Sequence, residues 1–177
     1  MAVMDNASTL LGLLDAGVGY GYDLKNTYDR WFGTQKPLAF GQVYAVLARF
    51  SRDGLIASIG EEAGSGPERK RYEITGAGRD RVAKWLFTAD VPGDSLQSNL
   101  FAKTIIALLV NADAGALLDT QRKEHMARMR QLTQEKKGAS LATVLLCDHA
   151  LFHIDADLQW IDLTEARLTQ LQKDVVE

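Results

Sequence analysis

Apolar residues along the first half of the chain recur at helical spacing between glycine stops. Residues 8–16 read as a short helix, with Leu10, Leu13 and Leu14 on one face, Ser8 or Thr9 as its cap and Gly17 as its stop. A second helix is expected over residues 22–31, with Tyr22, Leu24, Tyr28, Trp31 and Phe32 as its apolar set. Residues 33–37 form a polar loop ending at a proline. The third helix spans residues 39–53. At about 100° per residue, Phe40, Val43, Leu47 and Phe50 fall on one stripe and Gln42, Ala45, Arg49 and Arg52 on the other. Gly54 closes it as a C′ glycine. A strand begins at Leu55, residues 64–67 (GSGP) make a flexible turn, and residues 69–75 (RKRYEIT) return as a second strand. Thr75 can cap a fourth helix, Gly76–Phe87.

Residues 91–95 (VPGDS) are the best boundary, because proline and glycine meet there in a stretch poor in apolar residues. All that follows reads helical, over residues 99–110, 115–137 and 141–171. The last of these carries apolar residues at 151, 154, 158, 161 and 168, close to alternating three-four spacing. A single helix of that length finds no equal partner inside a small domain, which argues for packing against a second chain. The expected fold is mainly α with a small β-hairpin: an N-terminal winged helix-turn-helix over residues 1–90 and a C-terminal helical dimerisation domain over residues 91–177.

Composition narrows the classes. The chain has 177 residues, 46% of them hydrophobic and 24% charged, ordinary globular usage. Its one cysteine, Cys147, precludes an internal disulfide and sits in an apolar run as a small core residue. The N-terminus lacks a basic region followed by an apolar one, and the apolar windows are too short to span a bilayer, so the chain is expected in the cytoplasm. Net charge is −3, against the basic footprint usual in nucleic-acid binders. The excess lies entirely in the second half: residues 1–90 hold eleven Lys/Arg and eleven Asp/Glu, later residues nine against twelve.

The polar stripe of the third helix carries the candidate chemistry. A helix entering the major groove must present side chains that reach base edges without bulk. Gln42 can pair with adenine, Arg49 with guanine, and Ala45 leaves room between them. Tyr44 lies on the flank, placed for a phosphate or for packing. Lys36, Arg52 and the strand cations Arg69, Lys70 and Arg71 are placed for phosphates, since a wing needs a flexible tip and positive charge. Glu61 and Glu62 on the opposite strand partly offset them. Each feature alone is also that of an ordinary amphipathic helix or a solvated turn; their order and spacing together make the winged helix.

In the arm, Phe101, Phe152, His153 and Trp160 are the candidate contacts for a flat apolar effector, and equally residues of an interface core. His149 and His153 stand one turn apart, but no His-Glu-x-x-His pattern or cysteine cluster accompanies them, so no metal is expected. No nucleophile-and-base pair, P-loop, GxSxG or GxGxxG is present, so neither an enzyme nor a cofactor is expected. The competing reading is a winged helix that binds another protein without sequence-specific DNA recognition.

As a set, these residues resemble the PadR family of bacterial transcriptional regulators. The resemblance covers about residues 8–87. It rests on Gly21-Tyr22-Asp23-Leu24 opening the second helix, Tyr44 to Leu47 in the third, Asp53-Gly54-Leu55 closing it, and Tyr72 to Gly78 leaving the wing. The C-terminal part is similar to the longer-armed members found in actinobacteria. Where the family often has Ser or Thr at the head of the recognition region, this chain has Leu38, Ala39 and Gly41. The resemblance implies a homodimer with intertwined arms and a palindromic double-stranded operator. It also implies repression of an adjacent gene and release by a small, often aromatic effector at the dimer interface.

Overall fold

The computed structural model describes residues 5–32, 37–62, 69–90 and 96–176. Among them, eight helices and one antiparallel hairpin run in the order α1 (Asn6–Asp15), α2 (Gly21–Phe32), α3 (Phe40–Arg52), β1 (Ile56–Glu62), β2 (Arg69–Ile74), α4 (Gly76–Phe87), α5 (Leu96–Leu109), α6 (Ala114–Glu135), α7 (Leu141–Ala166) and α8 (Leu168–Val176). The fold is mainly α with a small hairpin, and its first half is a winged helix-turn-helix. The chain divides into two compact units, Asp5–Trp85 and the residues from Leu86 onward. The sequence boundary at residues 91–95 lies outside the described residues.

In the first unit, Leu10, Leu13 and Leu14 of α1, Leu24 and Tyr28 of α2, Val43, Leu47 and Phe50 of α3, and Ile56 and Ile74 of the hairpin are buried in one core. The cap of α1 is Asp5, not Ser8 or Thr9: its carboxylate accepts from the Ser8 N–H at 3.0 Å and the Ser8 hydroxyl at 2.6 Å. Phe40 departs from the expected stripe, being 41% exposed and stacked on Tyr22 at 5.7 Å between ring centroids. As the first residue of α3 it has no preceding turn to pack beneath it. Gly54 takes a positive φ of 71° at the end of α3, as a C′ residue should.

The exit from the hairpin explains its motif. The Thr75 hydroxyl lies 2.8 Å from the Gly54 carbonyl and 3.0 Å from that of Leu55, and it accepts from the Gly78 N–H at 3.2 Å, capping α4. A Cβ on Gly78 would stand 2.3 Å from the Leu55 carbonyl oxygen, so only glycine fits.

The second unit is all helix among its described residues. From Ala102 to Leu108, α5 is buried on every side, Lys103 and Thr104 included. The expected helix over residues 141–171 is broken at Arg167 (φ −112°, ψ 5°) into α7 and α8. The seam at residues 151, 154, 158 and 161 does not await a second chain. It is filled by α6, which runs antiparallel to α7: Leu132, Cys147 and Ile154 form a buried cluster with Met129, Ala150, Leu151 and Leu158 against it. Ion pairs lock the register, Lys136 with Asp148, and Arg122 with Asp162 at 2.8 Å and Glu165 at 2.6 Å. Those two carboxylates hold the Arg122 guanidinium above its ordinary pKa.

A buried polar chain runs through the same unit. Lys103, 2% exposed, donates to Asp90 at 2.7 Å and to the Thr88 carbonyl at 2.6 Å. Gln121 accepts from the Asp90 N–H at 2.9 Å and donates to its carbonyl at 2.7 Å. Gln121 also meets His125 Nδ1 at 3.2 Å, and His125 Nε2 lies 3.4 Å from Asp157. Burial pushes the Asp157 carboxyl above the ordinary carboxylate range, against the pull of His125.

Candidate nucleic-acid interface

The inner face of α3 is fixed by Val43, Leu47 and Phe50, all buried, so its outer face is fixed too. Gln42, Ala45 and Arg49, spaced by three and four, stand exposed on that outer face, with Tyr44 half-exposed at its flank and Arg52 exposed at its end. The structure thus brings the three expected base readers onto one accessible strip. Arg49 also lies over the Phe50 ring at 5.8 Å, which limits its sweep. Arg52 is held loosely by Asp53 at 3.4 Å.

Gln42 has a second task that its sequence position alone did not reveal. Its Oε1 accepts from the Ala39 N–H at 3.0 Å. Ala39 is the N-cap residue of α3 and has no side-chain oxygen to offer. Gln42 supplies the returning half of a capping box, serving the Ala39 N–H, while the half a Ser or Thr hydroxyl would supply is missing. Glutamine at the third helical position after a non-hydroxyl cap was the available signal. Pairing with adenine through both amide atoms would draw on the same Oε1.

Of the two roles expected of Tyr44, packing is the one seen. Its ring edge packs where a Cβ on Gly21 would stand, 2.8 Å from Cε1, so the glycine of the Gly21-Tyr22 pair permits close approach of α2 to α3. Half its surface remains open. An exposed aromatic pair, Tyr22 on Phe40, stands at the head of α3 with Lys25 5.1 Å from the Phe40 ring centroid. Helical spacing alone puts Phe40 on the core stripe and so hides this pair.

In the hairpin, backbone register sets Glu61 opposite Lys70 and Glu62 opposite Arg69. An irregularity between Ser58 and Gly60 leaves Ile59 exposed. The Tyr72 N–H donates to the Gly19 carbonyl at 2.8 Å, and Tyr20 bridges Arg71, so residues 19–20 pair along β2. The exposed Arg71 guanidinium lies over Tyr20 at 5.9 Å. Lys70 is exposed in β2. Lys36, the tip at residues 64–67 and the side chain of Arg69 lie outside the described residues.

The effector candidates divide. Phe101 and Trp160 line a pocket of about 320 Å³ among α5, α7 and α8, with Leu163, Leu171, Arg167 and Asp174. The helix break at Arg167 helps to shape it. Phe152 and His153 do not line this pocket; both are exposed, Phe152 by 76%. With Leu141, Leu145, Leu146 and Leu163 they belong to a second apolar surface of α7 that α6 leaves open. Positions 142, 145, 149, 152, 156, 159 and 163 alternate by three and four along it. A second seam was therefore present in the sequence, hidden by the first. Among the described residues no helix is long and apolar enough to cross a membrane.

Three helices followed by a paired hairpin and a fourth helix, with a polar outer strip on the third and cations on the second strand, make a winged helix-turn-helix of the transcription-regulator class. Residues 10–84 match the model of the transcriptional regulator PadR-like family. Through this domain the chain is similar to that family. The negative transcriptional regulator PadR of Bacillus subtilis (strain 168) is 22% identical over 175 residues, which cover 93% of this chain and 96% of that one. Among solved structures, Bacillus subtilis PadR in complex with operator DNA matches over 92% of this chain and 98% of that chain, at 20% identity and a TM-score of 0.46. A PadR-like transcriptional regulator from Bacillus cereus matches over 93% and 98%, at 20% identity and a TM-score of 0.40.

Proposed function

We propose that this chain is a dimeric DNA-binding repressor of its own or a neighbouring operon, working in the cytoplasm and released by a small aromatic or hydrophobic effector. The carrying observation is the strip of Gln42, Ala45 and Arg49, exposed on a helix whose opposite face is buried. In this reading residues 1–90 bind DNA, with Gln42, Ala45 and Arg49 reading bases. Tyr44, Lys36, Arg52, Arg69, Lys70 and Arg71 hold phosphates. Residues 91–177 dimerise through the open surface of α7, and two such units match a palindromic operator by their own symmetry. The pocket beside Phe101 and Trp160 takes the effector. Repression is supported by the name of the Bacillus subtilis relative, a negative regulator.

The test is an anisotropy titration against the upstream region of its own gene, with random duplex as competitor, at two salt concentrations. Competitor-resistant, salt-dependent binding is expected. Arg49→Ala should cost about 1–3 kcal/mol at the operator and relax its specificity. Arg71→Ala should weaken all duplexes alike and reduce the salt slope by about one. Binding no tighter than to random duplex, or an Arg49→Ala protein with unchanged preference, would overturn the assignment. Failure to bind any duplex at either salt concentration would leave the protein-interaction module.

A further inference from the structure

α7 carries two histidines one turn apart on its open surface. His149 and His153 are both exposed, their ring centroids 4.5 Å apart and their Nε2 atoms 3.3 Å apart. As a hydrogen bond, this contact shares one proton between two nitrogens. The same separation is the bite of a two-imidazole chelate. Two Zn–N bonds of about 2.1 Å at the tetrahedral angle place their nitrogens about 3.4 Å apart, and at a right angle about 3.0 Å. Chelation through both Nε2 atoms requires the protons on Nδ1 of both rings. The nearest acids on the helix are engaged elsewhere, Asp148 with Lys136 and Asp155 with Gln159 at 2.8 Å. Among the described residues no third His, Cys, Asp or Glu joins the pair.

We infer that His149 and His153 chelate a divalent transition cation of the zinc class, whose remaining positions are filled by water or by a second copy of this chain. Imidazole suits zinc, nickel and copper, while calcium and magnesium demand oxygen. His149 occupies one place in the open three-four seam, between Leu145 and Phe152. A cation there stands on the surface assigned above to the dimer, so its link to association rests on that reading; the chelate itself does not.

The experiment is a chelator-competition titration of the full-length chain with zinc alone, on the wild type and on His149→Ala and His153→Ala. The third histidine, His125, is fully buried and is kept in all three. Losing an outer-shell partner of a metal ligand costs roughly 10–100-fold in affinity, so losing one of two direct ligands should cost at least about tenfold. Thermal melts without metal should coincide for all three proteins, because both rings are exposed. Absence of wild-type binding up to about millimolar zinc, or undiminished binding by both variants, would overturn the chelate. Sedimentation with and without zinc separates the two readings. A zinc-binding monomer would sink the dimer and leave the chelate, and a dimer without zinc binding the reverse.

Discussion

The two units place their polar and apolar residues in opposite ways. Asp5–Trp85 keeps Arg49, Arg52, Lys70 and Arg71 outside and an apolar core inside. Its buried polar groups serve local ends, such as Ser8 at the cap of α1. The unit from Leu86 onward buries Lys103, Thr104, Gln121, His125 and Asp157, while leaving Leu141, Leu145, Leu146, Phe152 and Leu163 exposed. Apolar surface is costly to leave in water and buried charge is costly to hold. The first unit also leaves Tyr22, Phe40, Tyr44 and Ile59 exposed, but its core closes without a buried charge. The second buries a hydrogen-bonded polar chain and leaves apolar area of α7 exposed.

The open face of α7 offers the hardest test of that contrast. Leu145→Asp with Phe152→Asp removes two large apolar side chains per copy from the proposed interface. At about 1.5 kcal/mol for each side chain, counted on both copies, the dimer should lose roughly 6 kcal/mol, about four powers of ten in its dissociation constant. Both side chains are exposed in the single chain, so each unit should still fold. Sedimentation equilibrium reads the loss. An unchanged dimer would mean that association uses another surface, and the contrast between the units would lose its meaning.

The buried chain comes next in size. Asp90→Ala leaves the Lys103 ammonium at 2% exposure with the Thr88 carbonyl but without its carboxylate. Breaking a buried pair in this way costs about 3–5 kcal/mol, whereas replacing both members by apolar groups is often nearly neutral. Asp90→Ala should therefore lower the denaturation midpoint strongly, and adding Lys103→Met should recover most of the loss. A cost below about 1 kcal/mol for Asp90→Ala would show that the pair is not a structural centre of this unit.

The contrast also explains what could be read in advance. The first unit was legible almost element by element, because α2 and α3 each bury one apolar face, and glycines and Thr75 mark the ends, whereas α1 is buried on every side from Ser8 to Leu14. Gly76–Phe87 was placed to the residue. Its exceptions are end effects: Phe40 at the first position of α3, Asp5 displacing Ser8 as cap, Gln42 serving Ala39. The arm was legible as helices but not as packing. α7 has apolar residues on both sides, so a seam read at 151, 154, 158 and 161 belonged to α6, and the open one went unseen. The break at Arg167 carries neither proline nor glycine to announce it. The effector candidates split for the same reason, Phe101 and Trp160 in a pocket, Phe152 and His153 on the open face.

The smallest effect tests the closure of the first unit's core. Tyr28 is 1% exposed, and its hydroxyl donates to Asn6 Oδ1 at 2.8 Å, tying α2 to the start of α1. Burial first, and then the nearby Asp29 carboxylate, push its phenol up to about 12, from an ordinary value of about 10. Below pH 10 both folded and unfolded chains hold the proton, so the full stability is present. As pH rises toward 12, the unfolded chain gives the proton up first and unfolding gains. A shift of this size corresponds to roughly 2–3 kcal/mol lost across that window. Tyr28→Phe removes the hydrogen bond, costing about 1 kcal/mol at neutral pH, and removes the titration with it. The stability gap between wild type and variant should therefore close and then reverse as pH climbs past 10. Melting curves of the two proteins across that range read it directly. Parallel curves would mean that the phenol titrates as freely in the folded chain as in the unfolded one, and that this core admits water where it should be closed.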